Sequence, residues 1–301
     1  VAWASSSPAV ASVDAQGLLT THAAGTTDVT ATSEGVRSPV VRVTVHRAVA
    51  SLSIQPATAR LVLGEKRTYT VAARDAAGDL IPGLSVTVSS SAPAVVAVRG
   101  DTLHALAPGT ATVTASLQGR TAAAQLVVLP APTLVGGILH GGATWTRAGS
   151  PYQLTSAVQV PYGATLTIEP GVIVLGGGRS LEVFGTLSAV GTAAQPIQFE
   201  RTRLLGGNDL NRAFAIRVEH AVVDGGSVYS SAAGPGSLVL RHSTLRELDS
   251  YVYVWYPASD VFIEGNRFVR TAGISAGARA EQARVYVRNN VFVDWTGGFA
   301  V

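Results

Sequence analysis

Short runs of alternating apolar and polar residues recur along the chain, as in "VRVTV" at 41–45 and "RTYTVAA" at 67–73. A period of two places the apolar side chains on one face of an extended strand, whereas a helix would need a period near 3.6. Gly, Pro, Asn and Asp punctuate these runs, so the pattern predicts many short strands joined by tight turns. Few helices are expected.

Self-comparison resolves two repeats of different length. "SSSPAVASV" at 5–13 matches "SSAPAVVAV" at 90–98, and "AGTTDVTA" at 24–31 matches "PGTATVTA" at 108–115. Pro8 and Pro93 stand 85 residues apart, Gly25 and Gly109 stand 84 apart. A unit of this size built from short strands is that of a small antiparallel sandwich. Beyond the Pro- and Gly-bearing stretch "VLPAPTLVGG" at 128–137, which reads as a linker, the period shortens. Val218, Leu240, Ile263 and Val287 close four similar strands at steps of 22, 23 and 24 residues, the length of one solenoid coil.

The short register creates columns. Ile216, Leu238, Val261 and Val285 lie two residues before these anchors, and Val223, Leu245, Phe268 and Phe292 lie five after them. Both columns are apolar and can stack inward. One residue after the anchors stand Glu219, Arg241, Glu264 and Arg288, with charges that alternate as parallel strands stacked about 4.8 Å apart would favour. The conspicuous pair Asn289–Asn290 aligns with Gly265–Asn266 and with His242–Ser243. Such residues tolerate left-handed backbone and hydrogen-bond along a stack, so the pair reads as a corner of the coil and not as a catalytic site.

The serine cluster, "PAVASVDAQGLLTTHAAGTTDVTA" and the closing "VVRVTV" resemble the bacterial immunoglobulin-like domain of group 2, and a second copy follows, with Val88 in the place of Trp3. The resemblance implies spacer or adhesive modules of exported bacterial proteins. "TWTRAGSPYQLTSAVQVPYGATLTIEPGVIV" and "SLEVFGTLSAVGTAAQPIQFE" resemble the first segment of right-handed parallel β-helix proteins of the pectate-lyase shape. That shape hosts lyases, glycosidases and adhesins alike. The expected organisation is all-β: the C-terminal part of an Ig-like sandwich at 1–47, a complete one at 48–130, a linker at 131–141, and a right-handed parallel β-helix at 142–301, cut short at Val301.

Composition narrows the function classes. The 301 residues include neither cysteine nor methionine, which removes disulfides and thiol chemistry; without an initiator methionine, the chain is expected to be an internal piece of a longer protein. The net charge of +3 comes from 22 basic residues interspersed with 19 acidic ones. They form no basic patch of the kind nucleic acid requires. No run of about 18 apolar residues is long enough to span a bilayer as a helix. The chain is expected to be monomeric.

Candidate chemistry is sparse. Glycoside hydrolysis needs two carboxyl groups about 5–9.5 Å apart, but Glu247 and Asp294 share a column with Arg270 between them, an arrangement that lowers carboxyl pKa values. Asp224 and Asp249 stand near the corners without an acidic partner, and the paired aspartates of polygalacturonases and the calcium-binding acid cluster of pectate lyases have no counterpart here. His220 and His242 stack in one column and supply half a tetrahedral metal shell. "LGGGRS" at 175–180 lacks the lysine of a phosphate loop. No catalytic residue, metal or cofactor is assigned. One stretch stands out: in "SYVYVWYP" at 250–257, Tyr251, Tyr253 and Trp255 alternate with Val252 and Val254. With the valines inward, the three aromatics and the adjoining Tyr256 form an exposed ribbon suited to stacking on sugar rings. The expected function is structural presentation at a bacterial cell surface, with a surface glycan as partner; the alternative is a polysaccharide lyase or glycosidase whose catalytic coils lie outside 1–301.

Overall fold

The computed structural model describes residues 1–207, 212–230, 236–255, 257, 259–277 and 283–294, with the main chain alone at 229, 230 and 255. Apart from one turn of 3-10 helix at Arg147–Gly149, its regular elements are strands. Two compact units divide at Leu129 and Pro130.

The first unit is antiparallel for the most part. Ala2–Ser5 and Val41–Val45 flank Gly25–Ser33 in one sheet, beside a small hairpin of Ala11–Val13 and Leu19–Thr21. Further on, Thr87–Ser90, Gly109–Leu117, Arg120–Leu129 and Thr58–Val62 form a four-stranded sheet. In each repeat a short strand pairs with a nine-residue one in the same register: Trp3 faces Ala31 as Val88 faces Ala115. Alternate residues of the later strands, among them Leu61, Val96, Leu103, Val113 and Leu126, bury a common core, as the two-residue period requires of sandwiched sheets.

The second unit is a parallel β-solenoid. One seven-stranded sheet runs from Ala143–Trp145 through Phe214–Glu219, Gly236–Arg241 and Val261–Glu264 to Val285–Arg288. An eleven-stranded sheet carries the remaining sides of each coil. Every strand is parallel to those above and below it, and the interior is one continuous apolar cluster from Trp145 to Ala276.

The expected register holds. Val218 faces Leu240, Leu240 faces Ile263 and Ile263 faces Val287. Val223, Leu245, Phe268 and Phe292 form the neighbouring inward column, where the last two rings stack at 4.7 Å. The charged column is also in register, from Glu219 through Arg241 and Glu264 to Arg288. Two corners recur in left-handed backbone, first at His220, His242, Gly265 and Asn289, then at Gly225, Glu247, Arg270 and Asp294. In all four coils the second corner follows the first by five residues.

The segment read as a linker is different. Thr133–Ile138 is a strand, paired in parallel with Tyr152–Val160 as the first member of the eleven-stranded sheet. Its glycines mark an irregularity of register between Val135 and Gly137: a Cβ at Gly136 would lie 2.5 Å from Ser156 Oγ and 2.7 Å from Thr155 Oγ1. Glycine serves a bulge and a close approach here, not flexibility. The solenoid therefore begins at Thr133, ahead of the expected residue 142.

Candidate functional site

The first corner is built from backbone need. At His220, His242 and Gly265 the chain adopts φ of 47°, 50° and 66°, and the N–H of the next residue is met by a side chain of the coil above. Ser243 Oγ accepts from Ala221 N at 3.1 Å, Asn266 Oδ1 from Ser243 N at 3.0 Å, and Asn290 Oδ1 from Asn266 N at 2.9 Å. The asparagine amides then donate to the carbonyls of Leu240 and Ile263, each at 2.8 Å. Asn266 is buried, so these bonds satisfy groups that would otherwise be stranded away from water. The paired asparagines are thus a structural corner.

Outside this corner the charged column is organised around Glu264. Arg241 Nε donates to Glu264 Oε2 at 2.9 Å, and Arg288 Nε donates to Oε1 of the same carboxylate. Partial burial by itself would raise the Glu264 carboxyl, but the two arginines outweigh it and hold the group below the usual carboxylate range. Glu219 bonds instead to Arg217 on its own strand, at 2.9 Å.

The arginines also cover aromatic rings. Phe262 and Tyr286 occupy facing positions on adjacent coils and stack at 5.0 Å with planes 6° apart. Arg241 Cζ lies 4.7 Å from the Phe262 ring centre, and Arg288 Cζ lies 5.2 Å from that of Tyr286. These contacts add cation–π attraction to the ion pairs. Arg241, His242, Glu264, Gly265, Arg288 and Asn289 line a shallow groove of about 470 Å³. Sequence reasoning found the charged column but missed Phe262 and Tyr286. The available signal was their placement one residue before the anchors, at outward parity.

The other candidates are placed as follows. Val252 and Val254 are fully buried and face Ile274 and Ala276 of the next coil. Tyr251 and Tyr253, at the alternate positions, are half-buried, and Tyr253 stands in register between Tyr229 and Ser275. The ring of Trp255 and the whole of Tyr256 lie outside the described residues. His220 and His242 stack at 5.1 Å. Among the described residues, no three His, Asp or Glu side chains converge as a metal site. At the second corner, Arg270 Nε donates to Glu247 Oε1 at 2.5 Å, and this bond with its attendant charge raises the guanidinium pKa. One coil below, Arg246 bonds to Asp224 at 2.6 Å. No described helix is long and apolar enough to cross a membrane.

Comparison with known proteins gives partial likenesses. No curated relative matches the chain. Among solved structures, domains 4 and 5 of the S-layer protein SbsC match at 21% identity over 42% of this chain and 69% of that one, with a TM-score of 0.26. Against domains 1–6 of the same protein the chain covers 20% of the structure's length. The Escherichia coli adhesin FdeC matches at 28% identity over 37% of this chain and 43% of the other, with a TM-score of 0.23. The Yersinia pseudotuberculosis adhesin InvE matches at 20% identity over 27% and 26%, with a TM-score of 0.20. At the family level, residues 1–45, which form the sheet around Gly25–Ser33, match the bacterial Ig-like domain (group 2).

Proposed function

We propose that this chain is a structural and adhesive part of a bacterial cell-surface protein, in which Ig-like sandwiches at 1–47 and 48–130 hold out a β-solenoid that binds carbohydrate weakly on one side. The family match at the N-terminus supports the spacer role. The observation that carries the binding role is that Val252 and Val254 fill the coil interior, which by strand alternation favours an outward face for Tyr251 and Tyr253. Trp255 and Tyr256, whose side chains lie outside the described residues, are proposed as members of the same ribbon. Sugar rings present apolar faces that stack on such aromatics. An open ribbon leaves most of the ligand in water, so a dissociation constant near 1 mM, about −4 kcal/mol, is the expected strength.

The test is retention on a glycan array of the 301-residue chain and of Tyr251→Ala, Tyr253→Ala and Trp255→Ala, with circular dichroism as the check on folding. The reading requires that the three changes lower retention while the spectrum stays that of the unchanged chain. If instead Trp255→Ala unfolds the solenoid, the ring is part of the core and the ribbon reading fails.

A further inference from the structure

The groove at the first corner is lined by donors. Arg241 and Arg288 each spend Nε on Glu264, and among the described residues the terminal nitrogens of both guanidinium groups have no hydrogen-bond partner. The Asn289 side chain has none either. The remaining wall is Gly265, whose missing Cβ would lie 2.9 Å from His242 Nδ1. That close approach lets the imidazole lie across the corner. Glu264 is the one carboxylate lining the groove. Its side chain is 14% exposed and already shared by two arginines, so its role is to orient them.

Two features make this more than a charged surface. Each guanidinium is held by a ring, Phe262 for Arg241 and Tyr286 for Arg288, and by one shared carboxylate, so less side-chain freedom remains to be lost on binding. Both arginines line one shared groove, large enough to admit a small ligand group. A planar fork of N–H donors matches an oxyanion. The aromatic faces are covered by arginine and by each other, which leaves hydrogen bonding and charge, not ring stacking, as the means of recognition.

We infer that this groove binds the oxyanion of an acidic carbohydrate, a carboxylate, sulfate or phosphate group, through Arg241 and Arg288 with Asn289 as a further donor. The site is separate from the aromatic ribbon and does not depend on it.

The experiment is a calorimetric titration of the 301-residue chain at low salt with an oligogalacturonate, a sulfated oligosaccharide, inorganic phosphate and neutral maltohexaose. At least one of the acidic probes binds in a way that added salt weakens, whereas any ribbon binding of maltohexaose is insensitive to salt and to Arg288→Gln. The responding probe identifies the source of the oxyanion. Arg288→Gln, a change at an exposed side chain, weakens binding at least tenfold. Arg288→Lys recovers only part of it, because an ammonium lacks the planar fork. Tyr251→Ala leaves it unchanged. The inference is overturned if no acidic probe binds, if Arg288→Gln weakens maltohexaose binding as much as that of the acidic probe, or if folded Arg288→Gln and Arg241→Gln both bind the acidic probe as the unchanged chain does. It also falls if Tyr251→Ala removes the acidic ligand and Arg288→Gln does not, since the ligand then belongs to the ribbon.

Discussion

Asn290 receives both the main-chain N–H and the side-chain amide of Asn266 on one oxygen, its Oδ1, at 2.9 and 3.0 Å. The lower asparagine hands the arrangement on, accepting from Ser243 N and donating to Leu240 O. Asn266→Ala therefore strands a buried donor and a buried acceptor together. The expected loss is about 2–4 kcal/mol, read as a lower midpoint for the solenoid transition in urea. Asn289 is different, since its contribution is conformational: Asn289→Gly should be close to neutral, and Asn289→Val should cost about 1–2 kcal/mol for its left-handed backbone. Equal effects at 266 and 289 would contradict this division of labour.

A second expectation concerns acid. The folded-state pKa of Glu264 lies below its ordinary value, so the folded chain binds fewer protons there than the unfolded chain. Stability from this group is complete above the ordinary glutamate range and is lost as the pH falls through the lowered folded value. Melting temperatures measured across that acidic interval should fall less steeply in Glu264→Gln than in the unchanged chain. Parallel curves would show that the two arginines do not hold the carboxylate in solution.

The inward valines allow a third measurement. Val252 and Val254 have no exposed surface, and each fully buried valine contributes about 1.5–3 kcal/mol. Val254→Ala should lower the solenoid's unfolding free energy by a similar amount. A negligible loss would mean that the strand presents its valines to solvent, with the aromatics inside.

Coil length gives a fourth. Val252 and Ile274 are paired, yet Val252 follows its corner residue Glu247 by one residue more than Ile274 follows Arg270. Inserting two residues after Asp249 should be tolerated within about 0.6 kcal/mol, because loop closure depends weakly on length. One residue inserted between Asn266 and Arg267 should be severe, because it turns Phe268 out of the core and breaks the five-residue span between corners. Thermal denaturation of the two variants distinguishes these outcomes.

The stack was legible in the sequence because parallel in-register strands write each spatial column as a repeat. Glu219, Arg241, Glu264 and Arg288 could be placed on one line before any coordinate was known, and His242, Gly265 and Asn289 could be assigned to a turn by residue type. Glycine misled at 136 and 137, because the same residue that loosens a linker also permits a bulged strand, and only the neighbouring Thr155 and Ser156 decide which applies. The cluster at Phe262 and Tyr286 was hidden for another reason. A column tells which side chains are neighbours, but not that Arg241 and Arg288 fold back over two rings while converging on Glu264.

The constant distance between corners decides where the coil can change length. From His220 and Gly225 to Asn289 and Asp294, each coil preserves the same pentad, and all variation from 22 to 24 residues is taken up on the remaining sides. Residues added or removed on those sides leave the stack in register, whereas a change inside a pentad does not. What the solenoid displays there can thus vary in length without shifting the spacing of the corners.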